Sequence, residues 1–194
     1  MPKHITIIQG HPDGHVKHFG HALADAYARG AEEAGHELRH IPVAELDFNL
    51  LRSKQEWEET APPDSIAKSQ EMIRWADHLV IIYPLWMGFM PALFKAFLEQ
   101  TFRPGFALST AAPGKMPKRL LNGKSARVIV TMGMPALVYR FYFRAHSLKG
   151  LERNILAFAG IKPVKTCVIG GVEESEEERK KWLCEMTNLG RAGE

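Results

Sequence analysis

Residues 83–91 read Tyr-Pro-Leu-Trp-Met-Gly-Phe-Met-Pro and follow the apolar run Leu79-Val80-Ile81-Ile82. That run is short and rich in β-branched residues, which predicts a buried strand. The segment after it, 92–97, predicts the start of a helix, because Pro91 suits a first helical turn. A rigid apolar loop between a strand and a helix is typical of the ligand-binding edge of an open α/β sheet.

The rest of the chain repeats this alternation of short strands and helices. Strands are predicted at 4–9, 36–42, 79–83, 125–131 and 164–169, and helices at 18–34, 64–75, 91–102, 144–159 and 173–189. The pattern predicts an α/β fold: a five-stranded parallel sheet in the flavodoxin-like order 2-1-3-4-5, with helices on both faces. The length favours a single domain over residues 1–194. In that order the loops after strands 1, 3 and 4 meet at one edge.

Composition narrows the classes of partner. The net charge of +3 is too small to indicate nucleic acid, and no stretch has the length and apolarity of a membrane span or a signal peptide. Cys167 and Cys184 lie in unrelated elements and do not form a disulfide or zinc pattern. We therefore expect a soluble protein of the cytoplasm, with no stable membrane insertion.

The first of the three loops is rich in hydrogen-bond donors and possible cations. His11, His15, Lys17 and His18 precede or begin a predicted helix, whose positive end suits a phosphate or pyrophosphate. A solvated loop and a zinc site that includes His21 are the alternatives. The zinc alternative is weaker, because the histidines have no convincing carboxylate or cysteine partner and only the later three can share a helical face. We expect no metal.

The second loop is apolar, and alone it would suggest core or interface. Its position after strand 3 favours instead one wall of a pocket for a planar ring, with the backbone N–H groups of residues 85–88 available to the polar edge of the ring. The loop at 131–135 would face the other side of that ring, with Tyr139 nearby.

Four motifs make the chain recognisable. They are Gly10-His11-Pro12 running to His18-Phe19-Gly20-His21-Ala22-Leu23, Pro84-Leu85 followed by Pro91-Ala92-Leu93-Phe94-Lys95-Ala96, Phe102-Arg103-Pro104-Gly105-Phe106-Ala107, and Thr131-Met132-Gly133. With them the sequence resembles the flavodoxin-like NAD(P)H:quinone oxidoreductases, the family of DT-diaphorase and bacterial quinone reductases. The resemblance spans nearly the whole chain.

The resemblance implies a flavin-binding domain and a set of cofactor residues. Phosphate contacts are implied for the first loop, and contacts to the isoalloxazine for the second and third. The implied residues are His11, Lys17, His18, Phe19, Pro84, Leu85, Trp86, Met87, Gly88, Thr131, Met132 and Gly133. The cofactor is expected to be FAD, with FMN as the alternative, because the excursion at 106–122 resembles that of FAD-binding members.

The implied activity is ping-pong hydride transfer from NAD(P)H, the co-substrate, through the flavin to a quinone or similar small acceptor. Tyr139 and His146 are the implied catalytic residues, each placed to give a hydrogen bond or proton to the acceptor, although His146 lies one residue out of register. The family also implies a homodimer, for which the aromatic run at 139–143 suits the interface. Two alternatives remain: a flavin-bearing regulatory subunit of a membrane potassium-efflux system, and a metal hydrolase built on the histidines.

Overall fold

Five parallel strands form one sheet in the computed structural model, which describes residues 1–110 and 115–194. The strands are β1 (His4–Gln9), β2 (Glu37–Pro42), β3 (His78–Pro84), β4 (Ser125–Thr131) and β5 (Val164–Ile169). Their order across the sheet is β2-β1-β3-β4-β5, and each neighbouring pair is parallel. The predicted fold class and strand order are therefore confirmed.

Helices connect the strands and cover both faces of the sheet. They are α1 (Phe19–Glu33), α2 (Lys54–Glu59), α3 (Asp64–Trp75), α4 (Ala92–Thr101), α5 (Ala136–Phe141), α6 (His146–Gly150), α7 (Ala157–Ala159) and α8 (Glu176–Ala192). A π-helical turn, Leu151–Leu156, joins α6 to α7, and a 3-10 helix, Val43–Glu45, follows β2. None of the described helices is both long enough and apolar enough to cross a bilayer.

Each face of the sheet carries its own apolar core. Helices α1 and α8 cover one face, where Ile7, Leu23 and Met186 are buried together. Helices α3, α4 and α6 cover the other, where Phe94 and Leu148 belong to the larger core. Strand β3 lies at the centre, and its residues from 78 to 83 are all buried, as the unbroken apolar run predicts.

Helices α1 and α8 pack with their backbones in direct contact. A Cβ atom at Gly30 would lie 2.0 Å from the carbonyl oxygen of Thr187, and one at Gly190 would lie 2.1 Å from that of Tyr27. Only glycine fits at either position, because backbone atoms occupy the space that a side chain would need.

The structure departs from the predicted elements in two places. Helix α5 was not predicted, and the single helix expected at 144–159 is divided into α6, the π-helical turn and α7. Two consecutive residues with positive φ, Arg144 (52°) and Ala145 (49°), separate α5 from α6. The excursion expected at 106–122 includes residues 111–114, which lie outside the described residues.

Candidate functional site

A cleft of about 610 Å³ opens at the carboxyl ends of the strands, where β1 lies beside β3. This is the position at which the crossovers of a doubly wound sheet diverge, so the loops leave a crevice between them. Four loops contribute its walls, and its lining residues are His11, Asp13, His18, Phe19, Gly20, Pro84, Leu85, Trp86, Thr131, Met132, Gly133, Val172 and Glu173.

The β1–α1 loop supplies the polar end of the cleft. Helix α1 begins here with no acidic residue in its first turn, and the backbone N–H groups of Phe19 and Gly20 have no partner among the described residues. His11 is 7% exposed and lines the cleft. Its Nδ1 accepts a hydrogen bond from Asp13 N at 3.1 Å, so the neutral ring carries its proton on Nε2, which has no partner among the described residues. Unpartnered donors of this kind at a helix N-terminus suit an anion.

Gln9 joins the end of β1 to the first turn of α1. Its Oε1 accepts a hydrogen bond from His11 N at 3.2 Å, and its Nε2 donates to Gly20 O at 3.0 Å. The separation between the loop and the helix is therefore set by one side chain that the sequence did not single out.

Three imidazoles and one carboxylate lie close together in this wall. The rings of His11 and His18 stack with centroids 4.0 Å apart, and His21 lies 5.3 Å from His11. His18 Nε2 lies 2.9 Å from Asp13 Oδ2, and this hydrogen bond, followed by that from His15 N–H, lowers the pKa of Asp13 to about 2. Burial and then the neighbouring His18 lower the pKa of both His11 and His21.

The β3–α4 loop supplies an apolar wall through Pro84, Leu85 and Trp86. Its tip is a tight hairpin in which Trp86 and Phe89 exchange both backbone hydrogen bonds, at 2.8 and 2.9 Å. Met87 and Gly88 form the turn with φ of 49° and 80°, a pair of positive angles typical of a type I′ turn. Met87 is fully exposed at this tip and does not line the cleft.

This geometry corrects the expectation that the N–H groups of residues 85–88 all face a ligand. Leu85 N donates to Thr131 O at 2.7 Å, and Trp86 N is used within the hairpin. Of the four, the N–H groups of Met87 and Gly88 lack a partner among the described residues, and both belong to the turn outside the cleft.

The remaining walls come from the loops after β4 and β5, which are tied together. Met132 N donates to Ile169 O at 2.9 Å, and Val172 N donates back to Met132 O at 3.3 Å. A Cβ at Gly170 would lie 2.3 Å from Ala136 N, so the two loops touch through their backbones. Val172 and Glu173 reach the cleft in this way.

The β5 loop was missed by the sequence analysis. The sequence did contain a signal for it. Gly170 and Gly171 follow a predicted strand, and glycine or proline also follows the strands that lead to the other three loops.

Nine of the twelve expected cofactor residues line the cleft, whereas Lys17, Met87 and Gly88 do not. The Lys17 side chain is 90% exposed, with its Nζ 3.9 Å from Asp25 Oδ2. The nitrogen-bearing side chains of the first loop that reach the cleft are therefore those of histidines and not that of the lysine.

The two expected catalytic residues lie outside the cleft. Tyr139 is buried, and its hydroxyl is hydrogen-bonded to Ser147 Oγ at 2.8 Å and accepts from Leu148 N at 3.2 Å. His146 is exposed and lines a separate apolar pocket of about 240 Å³ beside Phe89. Within one chain, Tyr139 holds α5 to α6, because both hydrogen bonds of its hydroxyl are to protein groups.

The histidines do not form a metal site in this structure. Among residues 1–110 and 115–194, no group of three or more His, Cys, Asp or Glu side chains has an arrangement that could hold a metal ion. The Nδ1 atoms of His11 and His21 accept backbone hydrogen bonds instead, from Asp13 N and His18 N.

Known proteins resemble the chain over most of its length. A family model described as flavodoxin-like fold matches residues 3–188. A protein of Haemophilus influenzae described as an uncharacterized NAD(P)H oxidoreductase is 28% identical over 185 residues, which cover 93% of this chain and 90% of that protein. An FMN-dependent NADH:quinone oxidoreductase of Pseudomonas fluorescens is 31% identical over 153 residues, covering 76% and 74% of the two chains. The solved structure of an NAD(P)H:quinone oxidoreductase from Methanothermobacter marburgensis has a TM-score of 0.82 at 24% identity, with 100% of each chain covered, and supports the fold.

Proposed function

Because this chain belongs to the flavodoxin-like fold family, in which relatives are named NAD(P)H oxidoreductases and NAD(P)H:quinone oxidoreductases, we propose that it is a flavin-dependent NAD(P)H:quinone-type oxidoreductase. Residues 1–194 act as one flavin-binding domain, and the acceptor is a quinone or a similar small molecule.

The observation that carries this proposal is the division of the cleft into a polar end and apolar walls. At the polar end, His11 Nε2 and the N–H groups of Phe19 and Gly20 lack partners among the described residues. The walls formed by Leu85 and Trp86 offer apolar surface to a flat ring. A phosphorylated planar ligand satisfies both ends, and the volume of about 610 Å³ lies within the usual range for cofactor sites.

We propose FMN as the cofactor, in place of the FAD expected from the sequence. The expectation rested on the excursion at 106–122, but its described part lines a separate pocket of about 340 Å³ with Trp57 and Glu58 and does not line the cleft. Relatives named as FMN-dependent also favour FMN.

A flavin held in this cleft would supply the redox chemistry, namely hydride transfer from NAD(P)H and two-electron reduction of the acceptor. The chain's own residues bind and orient the reactants. Leu85 and Trp86 would support the ring system, while Thr131 and Gly133 would lie at its polar edge. Tyr139 and His146 keep no direct part in this scheme, because both lie outside the cleft of the single chain.

We further propose a homodimer in the cytoplasm. Large apolar side chains of α5 and the segment after it are exposed, a feature that marks interaction surfaces; they are Leu137, Val138, Phe141, Tyr142 and Phe143. Cys167 and Cys184 are free thiols, as suits a reducing compartment. Sedimentation of the wild type and of Phe141→Lys tests the dimer, because a charge at the interface should release monomers and a monomeric wild type would refute it.

Flavin content and turnover test the proposed function. Purified protein should be yellow, release FMN on denaturation, bleach when NADPH or NADH is added without oxygen, and regain colour with a quinone. Trp86→Ala should weaken FMN binding by roughly tenfold through loss of aromatic contact. The matched change Trp57→Ala, in the separate pocket, should leave FMN binding unchanged.

Colourless protein that takes up neither FMN nor FAD would refute the proposal. The alternative of a regulatory subunit of a potassium-efflux system receives no support from the relatives named above, which are described as oxidoreductases.

A further inference from the structure

Gln9 is the last residue of β1, and its side chain faces α1. Ile5 and Ile7 precede it at a spacing of two residues and are buried in the core beneath α1 and α8. The alternation of the strand therefore places Gln9 on the same face of the sheet. At this end of the sheet the face meets the first turn of α1. The half-buried amide of Gln9 contacts backbone groups there, whereas Ile7 contacts apolar side chains.

The two hydrogen bonds of Gln9 fix the orientation of its amide. His11 N, which can only donate, lies 3.2 Å from Oε1, and Gly20 O, which can only accept, lies 3.0 Å from Nε2. Rotation of the amide by 180° would break both bonds. An ionised glutamate has the same length but lacks the donor, and methionine offers neither a donor nor a strong acceptor. Neither side chain could make the bridge that glutamine makes.

One end of this bridge holds His11 to the sheet. Gly10 N donates to Ile82 O at 2.7 Å, and His11 lies one residue beyond this last backbone bond to a strand. In the part of the chain that the structure describes, His11 has two hydrogen bonds, one to Gln9 Oε1 and one from Asp13 N. Because Asp13 belongs to the same loop, loss of the Gln9 bond would leave His11 with hydrogen bonds inside its own loop alone.

The other end of the bridge lies in the first turn of α1. Gly20 is the second residue of that helix, and its N–H, like that of Phe19, has no partner among the described residues. His11 Nε2, at the opposite end of the bridge, is likewise without a partner there. All three residues line the polar end of the cleft, whereas Gln9 does not. Gln9 therefore connects two groups of free donors from behind.

We propose that Gln9 is a positioning residue for the phosphate of the flavin, because its amide sets the distance between His11 and the first turn of α1. A phosphate bound from both sides at once accepts hydrogen bonds from His11 Nε2–H and from the N–H groups of Phe19 and Gly20. Without the bridge, His11 and the helix can move apart, and the phosphate keeps the donors of one side alone. This inference rests on the proposed function, with FMN as the ligand.

Binding of FMN and of riboflavin to the flavin-free protein at pH 8 tests this role. Riboflavin has the same ring system but lacks the phosphate, so the ratio of its Kd to that of FMN measures recognition of the phosphate. Gln9→Met keeps the length of the side chain and removes both hydrogen bonds. We expect this variant to bind FMN about tenfold more weakly, as loss of one hydrogen bond to a charged group implies, and to bind riboflavin as the wild type does.

A double-mutant cycle with His11→Phe separates this role from a general loss of structure. His11→Phe keeps an aromatic ring but removes Nε2, so it should also weaken FMN binding by about tenfold. If Gln9 acts through His11, the double variant should lose little more than either single variant. Independent effects would instead multiply to about a hundredfold.

Gln70→Met is the matched control. Gln70 Nε2 also donates to a backbone carbonyl, Thr101 O at 2.8 Å, but neither residue lines the cleft. This variant should leave the Kd values of FMN and riboflavin unchanged.

A Gln9→Met variant with the wild-type ratio of Kd values, or a double variant with the full hundredfold loss, would overturn the role of Gln9 while leaving the proposed function intact. If the wild type binds neither flavin, the proposed function fails and this role fails with it. Melting temperatures show whether each variant is folded. If Gln9→Met is not, Gln9→Glu replaces it: this variant keeps an acceptor for His11 N but turns an oxygen toward Gly20 O, and a wild-type ratio would again overturn the role.

Discussion

Gly170→Ala is expected to weaken both the fold and the cleft, because it forces apart the loops after β4 and β5. The new Cβ would lie 2.3 Å from Ala136 N and 2.5 Å from Met134 O, both backbone atoms. These atoms must retreat by about 1 Å, and overpacking of this kind costs about 1–3 kcal/mol. Stretching the bonds Gly171 N to Met134 O and Val172 N to Met132 O adds about 1 kcal/mol.

The total, about 2–4 kcal/mol, corresponds to a melting temperature lowered by roughly 5–15 °C for a chain of this size. Displacement of Met132 and Gly133 that costs the bound state about 1.4 kcal/mol weakens FMN binding roughly tenfold. Thermal unfolding and fluorescence titration with FMN measure the two effects. Gly150→Ala is the matched control, because a Cβ there meets no atom within 4 Å. A Gly170→Ala protein with unchanged melting temperature and FMN affinity would refute the contact between the loops.

Three further changes test other parts of the structure. Gly30→Ala should destabilise the chain by about 1–3 kcal/mol in urea unfolding, because its Cβ meets a carbonyl oxygen of α8 at 2.0 Å; wild-type stability would contradict that contact. Tyr139→Phe should lower the free energy of unfolding by about 1–3 kcal/mol, because it leaves Ser147 Oγ and Leu148 N without a partner. The folded variant should keep its quinone turnover. Loss of turnover without loss of stability would restore Tyr139 as a catalytic residue. Burial, followed by nearby Lys3, lowers the pKa of His78 to about 4, so the unfolded chain binds the proton more readily and stability should fall as the pH drops from about 6.5 to 4. His78→Gln should flatten that part of the pH–stability profile, and an identical profile would exclude His78 as its source.

Much of the fold could be predicted because its signals are local. Strand β3 is an unbroken apolar run, and Gly or Pro marks the end of every strand that borders the cleft. Helix α5 was harder to foresee: it has only six residues, and two residues with positive φ that are not glycine end the segment after it. Tertiary packing, rather than local preference, sustains such angles.

The sequence predicted where the candidate site lies more accurately than which way its side chains point. The strand order alone brings His11, Trp86 and Thr131 together, because each lies at or just after the carboxyl end of one of three neighbouring strands. The inward turn of Tyr139 toward Ser147 depends on how α5 packs, and the exposure of Met87 depends on the hairpin at 86–89. Sequence spacing reveals neither feature. The first depends on how the short helices α5 and α6 pack on each other, and the second on a turn type that methionine rarely adopts.

Backbone hydrogen bonds continue beyond the ends of the strands, and they affect how fast a ligand binds and how much conformational entropy is lost when it does. Gly10 N to Ile82 O, Leu85 N to Thr131 O, and Met132 N to Ile169 O connect each wall of the cleft to the next at 2.7–2.9 Å. The walls are therefore ordered when the chain folds, and little conformational entropy remains to be lost when a cofactor arrives. The empty protein should keep the bound shape, exchange its cofactor without local unfolding, and show nearly the same amide protection in these loops whether or not the flavin is present.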